Sequence, residues 1–184
     1  DERGKFHIGA EGPFKLVEVH DDAYQQFLKS KQVIDVPTGF NPGTLNENLF
    51  DWQADIVRWA IRRGRAAIFA SCGLGKTPMQ LDWARIICDH TGGKVLILAP
   101  LAVAAQTCRE AEKFGIGGVK HVRDQKNCTE RICITNYERL HHFVPSEFSG
   151  VVLDESSILK AFMGKTKRTL VEVFKDTPFK LCCT

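Results

Sequence analysis

The segment Ala66-Ala67-Ile68-Phe69-Ala70-Ser71-Cys72-Gly73-Leu74-Gly75-Lys76-Thr77 sets the reading of the whole chain. Ala66 to Ala70 is wholly apolar, as expected of a short strand buried on both faces. From Thr77 to Asp89, Met79, Trp83, Ile86 and Ile87 recur at helical spacing, and Gly92-Gly93 ends that run. The linking residues match G-x-x-x-x-G-K-[ST], except that Ala70 takes the first position. Each part has a physical task. Gly73 and Gly75 let the backbone turn tightly, so that the N–H groups of Ser71, Cys72, Gly73, Leu74 and Gly75 approach an anion. The helix N-terminus adds partial positive charge. Lys76 is placed to reach the outer phosphates of a nucleotide, and the Thr77 hydroxyl to ligate magnesium. Pro78 fits because a first-turn residue has no intrahelical N–H bond to lose. The bland alternative is a Gly-rich turn that happens to contain Lys-Thr. A strand before it and a helix after it argue otherwise.

Working outward, the chain keeps alternating. Phe50 to Arg62 reads as a helix with Ile56, Trp59 and Ala60 on one side. Lys94 to Ala99 is a strand, Ala102 to Phe114 a helix, and Val119 to Val122 a short strand. Arg131 to Thr135 and Val151 to Leu153 are strands, Thr166 to Phe174 a helix, and Phe179 to Cys183 a last strand. Strands alternating with helices make a mainly parallel sheet covered on both faces, an α/β three-layer sandwich. Ligands then sit at the carboxyl ends of the strands. Upstream, Phe14 to Val19 reads as a strand, Asp21 to Lys31 as a helix carrying Tyr24, Phe27 and Leu28, and Pro37 to Gly43 as a connector. Residues 1–45 therefore read as an N-terminal extension and 46–184 as the α/β lobe.

Val151-Val152-Leu153-Asp154-Glu155 is an apolar strand that ends in two carboxylates. In a parallel sheet they emerge at the same edge as the phosphate loop. There Asp154 would hold magnesium, and Glu155 would polarise a water for in-line attack on the terminal phosphate. Taken alone, the pair reads equally well as a solvated strand end and helix cap, since Asp154, Ser156 and Ser157 all cap well.

Composition sets the outer limits. The 184 residues are 43% apolar and 26% charged, which excludes a disordered or fibrous chain. Lys plus Arg is 25 and Asp plus Glu 22, so the net charge of +3 permits nucleic-acid binding without arguing for it. The longest apolar run, Val95 to Ala105, spans eleven residues and contains Pro100; a membrane span needs about 20. No signal-peptide pattern follows the charged start. Seven cysteines with no C-x-x-C pair read as reduced thiols in a cytoplasmic protein. The absence of an initial Met suggests a processed product or a piece of a longer chain.

Taken together, these motifs resemble the first motor lobe of a superfamily-two helicase-like ATPase, closest to Swi/Snf-type DNA translocases. The resemblance covers Leu49 to Thr184. It implies a RecA-like P-loop fold, with ATP and magnesium as cofactors. Leu49 to Gln53 is similar to the segment whose glutamine reads adenine, which gives that role to Gln53. Ala70 to Thr77 resembles motif I, Leu98 to Leu101 motif Ia, and Ile134 to Leu140 the segment near motif Ib. Leu153 to Lys160 resembles motif II, with Lys76, Asp154 and Glu155 as its catalytic set together with motif I. Leu181 to Thr184 is similar to the strand entering motif III, which implies a lobe cut off there and a second, arginine-bearing lobe beyond it. Ser157 stands where the family usually has His, so the link from hydrolysis to motif III differs here. Cys72 is also unusual in such a loop and reads as a small buried filler or a reactive thiol.

The resemblance puts Pro100, Leu101, Thr135 and Asn136 against a nucleic-acid backbone, with duplex DNA favoured. Contacts to the backbone carry no sequence information, which suits a motor. Two basic clusters, Arg58–Arg62–Arg63–Arg65 and Lys160–Lys165–Lys167–Arg168, read as solvated helix faces or further contacts. Short motors of this type also resemble phage and prophage proteins. The alternatives are an RNA helicase, a restriction-system motor, a non-hydrolysing nucleotide-binding scaffold, or a P-loop kinase for which no lid is found.

Overall fold

A computed structural model describes residues 21–31, 36–157 and 165–184, which divide into two compact units, Asp1–Asp35 and Val36–Thr184. In the first unit helix α1 spans Asp21–Lys31, the same span that its periodicity predicts. The strand expected at Phe14 to Val19 lies outside the described residues.

The second unit is built on a six-stranded, wholly parallel sheet in the order β1-β6-β5-β2-β4-β3. The strands are β1 (Arg65–Ile68), β2 (Lys94–Leu98), β3 (Val119–His121), β4 (Ile132–Thr135), β5 (Phe148–Leu153) and β6 (Phe179–Cys183). The helices are α2 (Asp51–Arg63), α3 (Lys76–Thr91), α4 (Ala104–Lys113) and α5 (Lys165–Val173). The three layers follow from the two-residue period of the strands. Val95, Ile97, Ile132, Ile134, Val152 and Leu181 pack with α2, α3 and α4. Leu96, Leu98, Cys133 and Val151 face the other way, against Leu140, Phe143, Leu170 and Phe174. With both faces covered, these strands need no polar alternation, as their sequences predict. Helix α3 lies deepest: Met79, Leu81, Trp83 and Ile87 are fully buried. Truncating a core side chain as large as Trp83 costs about 3–5 kcal/mol.

Three expectations are corrected. First, Trp59 does not face the core; it is exposed, and α2 instead buries Gln53, Val57, Ala60 and Ile61. The helix rotates so that its inward stripe passes through Gln53, which has a use described below. Second, the thiols are not all reduced: Cys128 and Cys133 form a disulfide. Both are buried in one cluster, because the turn before β4 folds Cys128 back over the strand. No spacing rule marks such a pair. Third, Cys72 is exposed and so is no buried filler.

The turn-rich segment after Val36 packs on the lobe and caps α2. Thr38 N donates to Arg63 O and Gly39 N to Arg62 O, each at 3.2 Å, which satisfies carbonyls that a helix end otherwise leaves orphaned. A Cβ on Gly39 would lie 1.7 Å from Ile61 O, so only glycine allows this approach. Phe40 stacks on His90 with ring centroids 3.5 Å apart.

Candidate functional site

The strand order puts β6 between β1 and β5, so the loop after β1 and the turn after β5 flank the end of one strand. Thr184, the residue that follows β6, joins them. Its N–H donates to Ile68 O at 3.1 Å, and its carbonyl accepts from Ala70 N at 3.0 Å. Its hydroxyl donates to Glu155 Oε1 at 3.4 Å. Ser157 Oγ donates to the same carboxylate oxygen. Thus Ser157 bonds directly to Glu155.

The loop itself turns through Gly75, the N-cap of α3, at φ 68° and ψ 44°, a left-handed conformation that suits glycine. A Cβ there would also come within 2.4 Å of Gln53 Nε2. Lys76 Nζ donates back to Ala70 O at 2.7 Å, across the mouth of the loop. Ser71, Cys72, Gly73 and Leu74 are exposed, and Thr77 is half-buried. Gln53 is 4% exposed. Its Oε1 accepts from Phe50 N at 3.0 Å and its Nε2 donates to Leu74 O at 3.1 Å.

The two carboxylates have different surroundings. Asp154 is buried, and Glu155 is exposed. Burial pushes the Asp154 carboxyl above the usual carboxylate range. The nearby Gln80 amide, the Glu155 N–H and the Lys76 charge draw it partly back. Glu155 N donates to Asp154 Oδ1 at 3.1 Å, and Tyr137 Oη to Asp154 O at 2.7 Å. Burial, then the Asp154 charge, raises the Tyr137 phenol, so it stays a neutral donor. Glu155 has φ 52°, the one positive value among described residues other than glycine. Such a backbone in a non-glycine residue costs of order 1–3 kcal/mol and is typical of functional turns.

Sequence reasoning missed Gln80. It is fully buried, and neither of its amide atoms completes a hydrogen bond. A glutamine between Met79 and Leu81 on a core helix was the available signal.

The donor set suits magnesium. Asp154 is buried and makes no ion pair among the described residues, so its ionised carboxylate would gain from a cation beside it. No group of three or more His, Cys, Asp or Glu side chains that could hold a metal occurs among those residues. A cation here would therefore depend on phosphate oxygens and water, which is magnesium's usual habit.

The residues expected to meet nucleic acid lie at the same sheet edge, after β2 and β4, and they are not alike. Leu101 is 65% exposed and Pro100 half-buried. Thr135 and Asn136 are buried, and Thr135 Oγ1 and Asn136 Oδ1 have no hydrogen-bond partner. In the basic cluster on α2, Arg58 pairs with Asp55, and Arg62 Nε donates to Asn41 Oδ1 at 3.0 Å.

No protein-family model matches the chain, and neither does any curated protein. Solved structures do share its fold. The UvsW helicase from bacteriophage T4 matches with TM-score 0.64 and 17% identity, over 91% of this chain and 60% of that one. The Sulfolobus solfataricus SWI2/SNF2 ATPase core in complex with dsDNA matches with TM-score 0.65 and 18% identity, over 79% of this chain and 33% of that one. The Pyrococcus furiosus Hef helicase domain matches with TM-score 0.62 and 16% identity, over 77% and 35%. The chain thus shares the RecA-like fold of these structures and spans between a third and three-fifths of their lengths.

Proposed function

We propose that this chain is the ATP-binding motor lobe of a DNA translocase or helicase, which hydrolyses ATP with magnesium and acts on duplex DNA. The observation that carries the reading is the junction at Thr184, where the phosphate loop and Glu155 are bonded to one residue. In this reading the loop N–H groups and Lys76 hold the phosphates. Thr77 and Asp154 would hold magnesium, which when bound neutralises charge on the phosphate oxygens. Glu155 orients a water and accepts its proton. The water oxygen bonds to the terminal phosphorus as the bond to the bridging oxygen breaks, and ADP departs with that electron pair. Ser157 and Thr184 fix the carboxylate for this task and connect it to β6. Leu101 and Pro100 offer a shape contact to a nucleic-acid backbone at the same edge. A second lobe, supplying a cation to the far side of the phosphate, completes the motor, as the greater lengths of the structural neighbours suggest.

Thermal melts test the binding half of the reading. Saturating ATP with magnesium at 100 times Kd stabilises the fold by about 2.7 kcal/mol. Lys76→Ala abolishes that shift. Equal shifts in both proteins would remove the phosphate loop from the account.

A further inference from the structure

Gln80 is fully buried, and neither its Nε2 nor its Oε1 completes a hydrogen bond. An unpaired amide in a core is costly, whereas methionine has nearly the same length and no strong polar atom. The packing of α3 indicates which partner the amide serves. Lys76, Gln80, Trp83 and Ile87 follow one another at steps of three and four, so they form one stripe of the helix. That stripe lies over β5: a Cβ on Gly150 would be 3.2 Å from Ile87 Cγ2 and 3.4 Å from the Trp83 ring. The phosphate loop opens α3 at the carboxyl edge of the sheet, so the helix runs antiparallel to β5. At about 1.5 Å per helical residue, Gln80 lies about 7 Å back from the middle of the Trp83–Ile87 pair, or roughly two residues along a strand. It therefore sits over Val152. Helical side chains lean toward the N-terminus of their helix, which carries the amide on toward Asp154.

Asp154 faces the same helix. It stands two residues beyond Val152, whose side chain packs with α3, and the strand alternates with a period of two. The Gln80 amide is near enough to favour the ionised form of its carboxyl. The neighbours in that row are Ala99 and Cys183, which follow the register partners of Leu153. One offers a methyl group and the other a weak thiol donor. Lys76 Nζ is already bonded to Ala70 O. The strong side-chain donor left for the buried carboxylate is Gln80.

We infer that Gln80 is a positioning residue for Asp154: within the nucleotide site proposed above, on which the inference rests, its amide N–H holds one carboxylate oxygen and leaves the other to serve magnesium. It fixes the rotamer of the aspartate from behind and touches neither phosphate nor metal. Partners that orient a metal ligand in this way are typically worth about 10–100-fold in metal affinity. The contribution of Gln80 should therefore appear only when magnesium is present.

Equilibrium titrations of the chain with ATP, once in magnesium and once in EDTA, test this. In the parent, magnesium tightens ATP binding. Gln80→Met reduces that tightening by about tenfold and leaves the Kd in EDTA within about twofold. Its ligand-free melt is no lower than the parent's, because two unpaired polar atoms leave the core. Gln80→Asn keeps the amide but withdraws it by one methylene. It gives the same loss, and it replaces Gln80→Met should that variant not fold. In an Asp154→Asn background, adding Gln80→Met changes neither Kd, because its only route to the metal is gone. Equal weakening with and without magnesium, no change in either, or a loss that persists in the Asp154→Asn background would overturn the inference and leave the nucleotide site standing. So would ATP that binds the parent no better with magnesium than without. If ATP does not bind the parent, or binds Lys76→Ala equally well, the site reading falls and this inference with it.

Discussion

Two stretches of the same sheet edge are built on opposite plans. After β1 and β5 the chain turns through left-handed backbone at Gly75 and Glu155 and presents Lys76 and an exposed carboxylate. After β2 and β4 it hides its polar groups, Thr135 and Asn136, and presents Leu101. In the proposed function the first plan would serve chemistry, where a proton acceptor and a cation must occupy fixed points. The second would serve contact, where an outline is enough. Polar atoms beneath a contact surface can then be buried even at the expense of a missing hydrogen bond.

Three substitutions, one of them with a control, act on the first stretch. The largest effect belongs to Glu155→Gln in the complete motor: turnover falls by about 10²–10⁴-fold while nucleotide Kd stays within about twofold, read by phosphate release and equilibrium binding. Undiminished turnover would make the Thr184 junction structural only. Next, Gly75→Ala meets both a left-handed backbone and the Gln53 amide at 2.4 Å. It is expected to lower stability by about 1–3 kcal/mol and to weaken nucleotide. Gly73→Ala, also left-handed but with nothing within 4 Å of its Cβ, is the milder of the pair. Equal losses in denaturant melts would mean that backbone strain alone, not the Gln53 contact, governs the loop.

The third acts through charge. The Asp154 carboxyl is raised in the folded chain, so its ionised form opposes folding. That contribution is absent below the ordinary aspartate pKa and grows as pH rises through the raised one. Asp154→Asn should therefore melt higher than the parent at pH 7, by about 2–4 °C for each kcal/mol relieved, while losing its response to magnesium nucleotide. The advantage shrinks as the pH approaches 4. A mutant that melts lower at pH 7 would show that the carboxylate is already paired.

The same contrast explains what could be read beforehand. Gly73, Gly75, Lys76, Thr77, Asp154 and Glu155 stand out in the sequence because a phosphate-binding reading dictates residue type and spacing, and the apolar strands announced the sheet covered on both faces that the structure has. Gln53 was legible as a residue but not in its hydrogen bonds, which depend on how α2 rotates to bury Val57 and Ile61 and leave Trp59 outside. The Cys128–Cys133 pair is oddly spaced, and the Thr184 junction joins residues far apart in the chain, so no local rule marks either; Gln80 left one signal, a glutamine between Met79 and Leu81 on a core helix. Thr135 and Asn136 were located through likeness alone, and likeness does not carry burial.

Thr135→Val carries the smallest expected effect and separates the two plans most cleanly. Thr135 ends β4, opposite Leu98 in the neighbouring strand, with no exposed surface. Its hydroxyl has no hydrogen-bond partner. An unsatisfied buried polar group costs about 1–3 kcal/mol, and valine has nearly the same shape and suits a strand. The substitution should therefore raise stability by about 1 kcal/mol, or about 2–4 °C in Tm. If the hydroxyl lies beneath the contact surface rather than on it, affinity for duplex DNA and its dependence on salt stay as they were. Leu101→Glu, which puts a charge on the exposed position, should by contrast weaken DNA binding at low salt and leave ATP binding alone. Fluorescence anisotropy with a labelled duplex reads both variants. Loss of DNA affinity in Thr135→Val with no gain in Tm would mean that the hydroxyl turns outward to bond a phosphate, so that the second stretch, like the first, works through a placed polar atom.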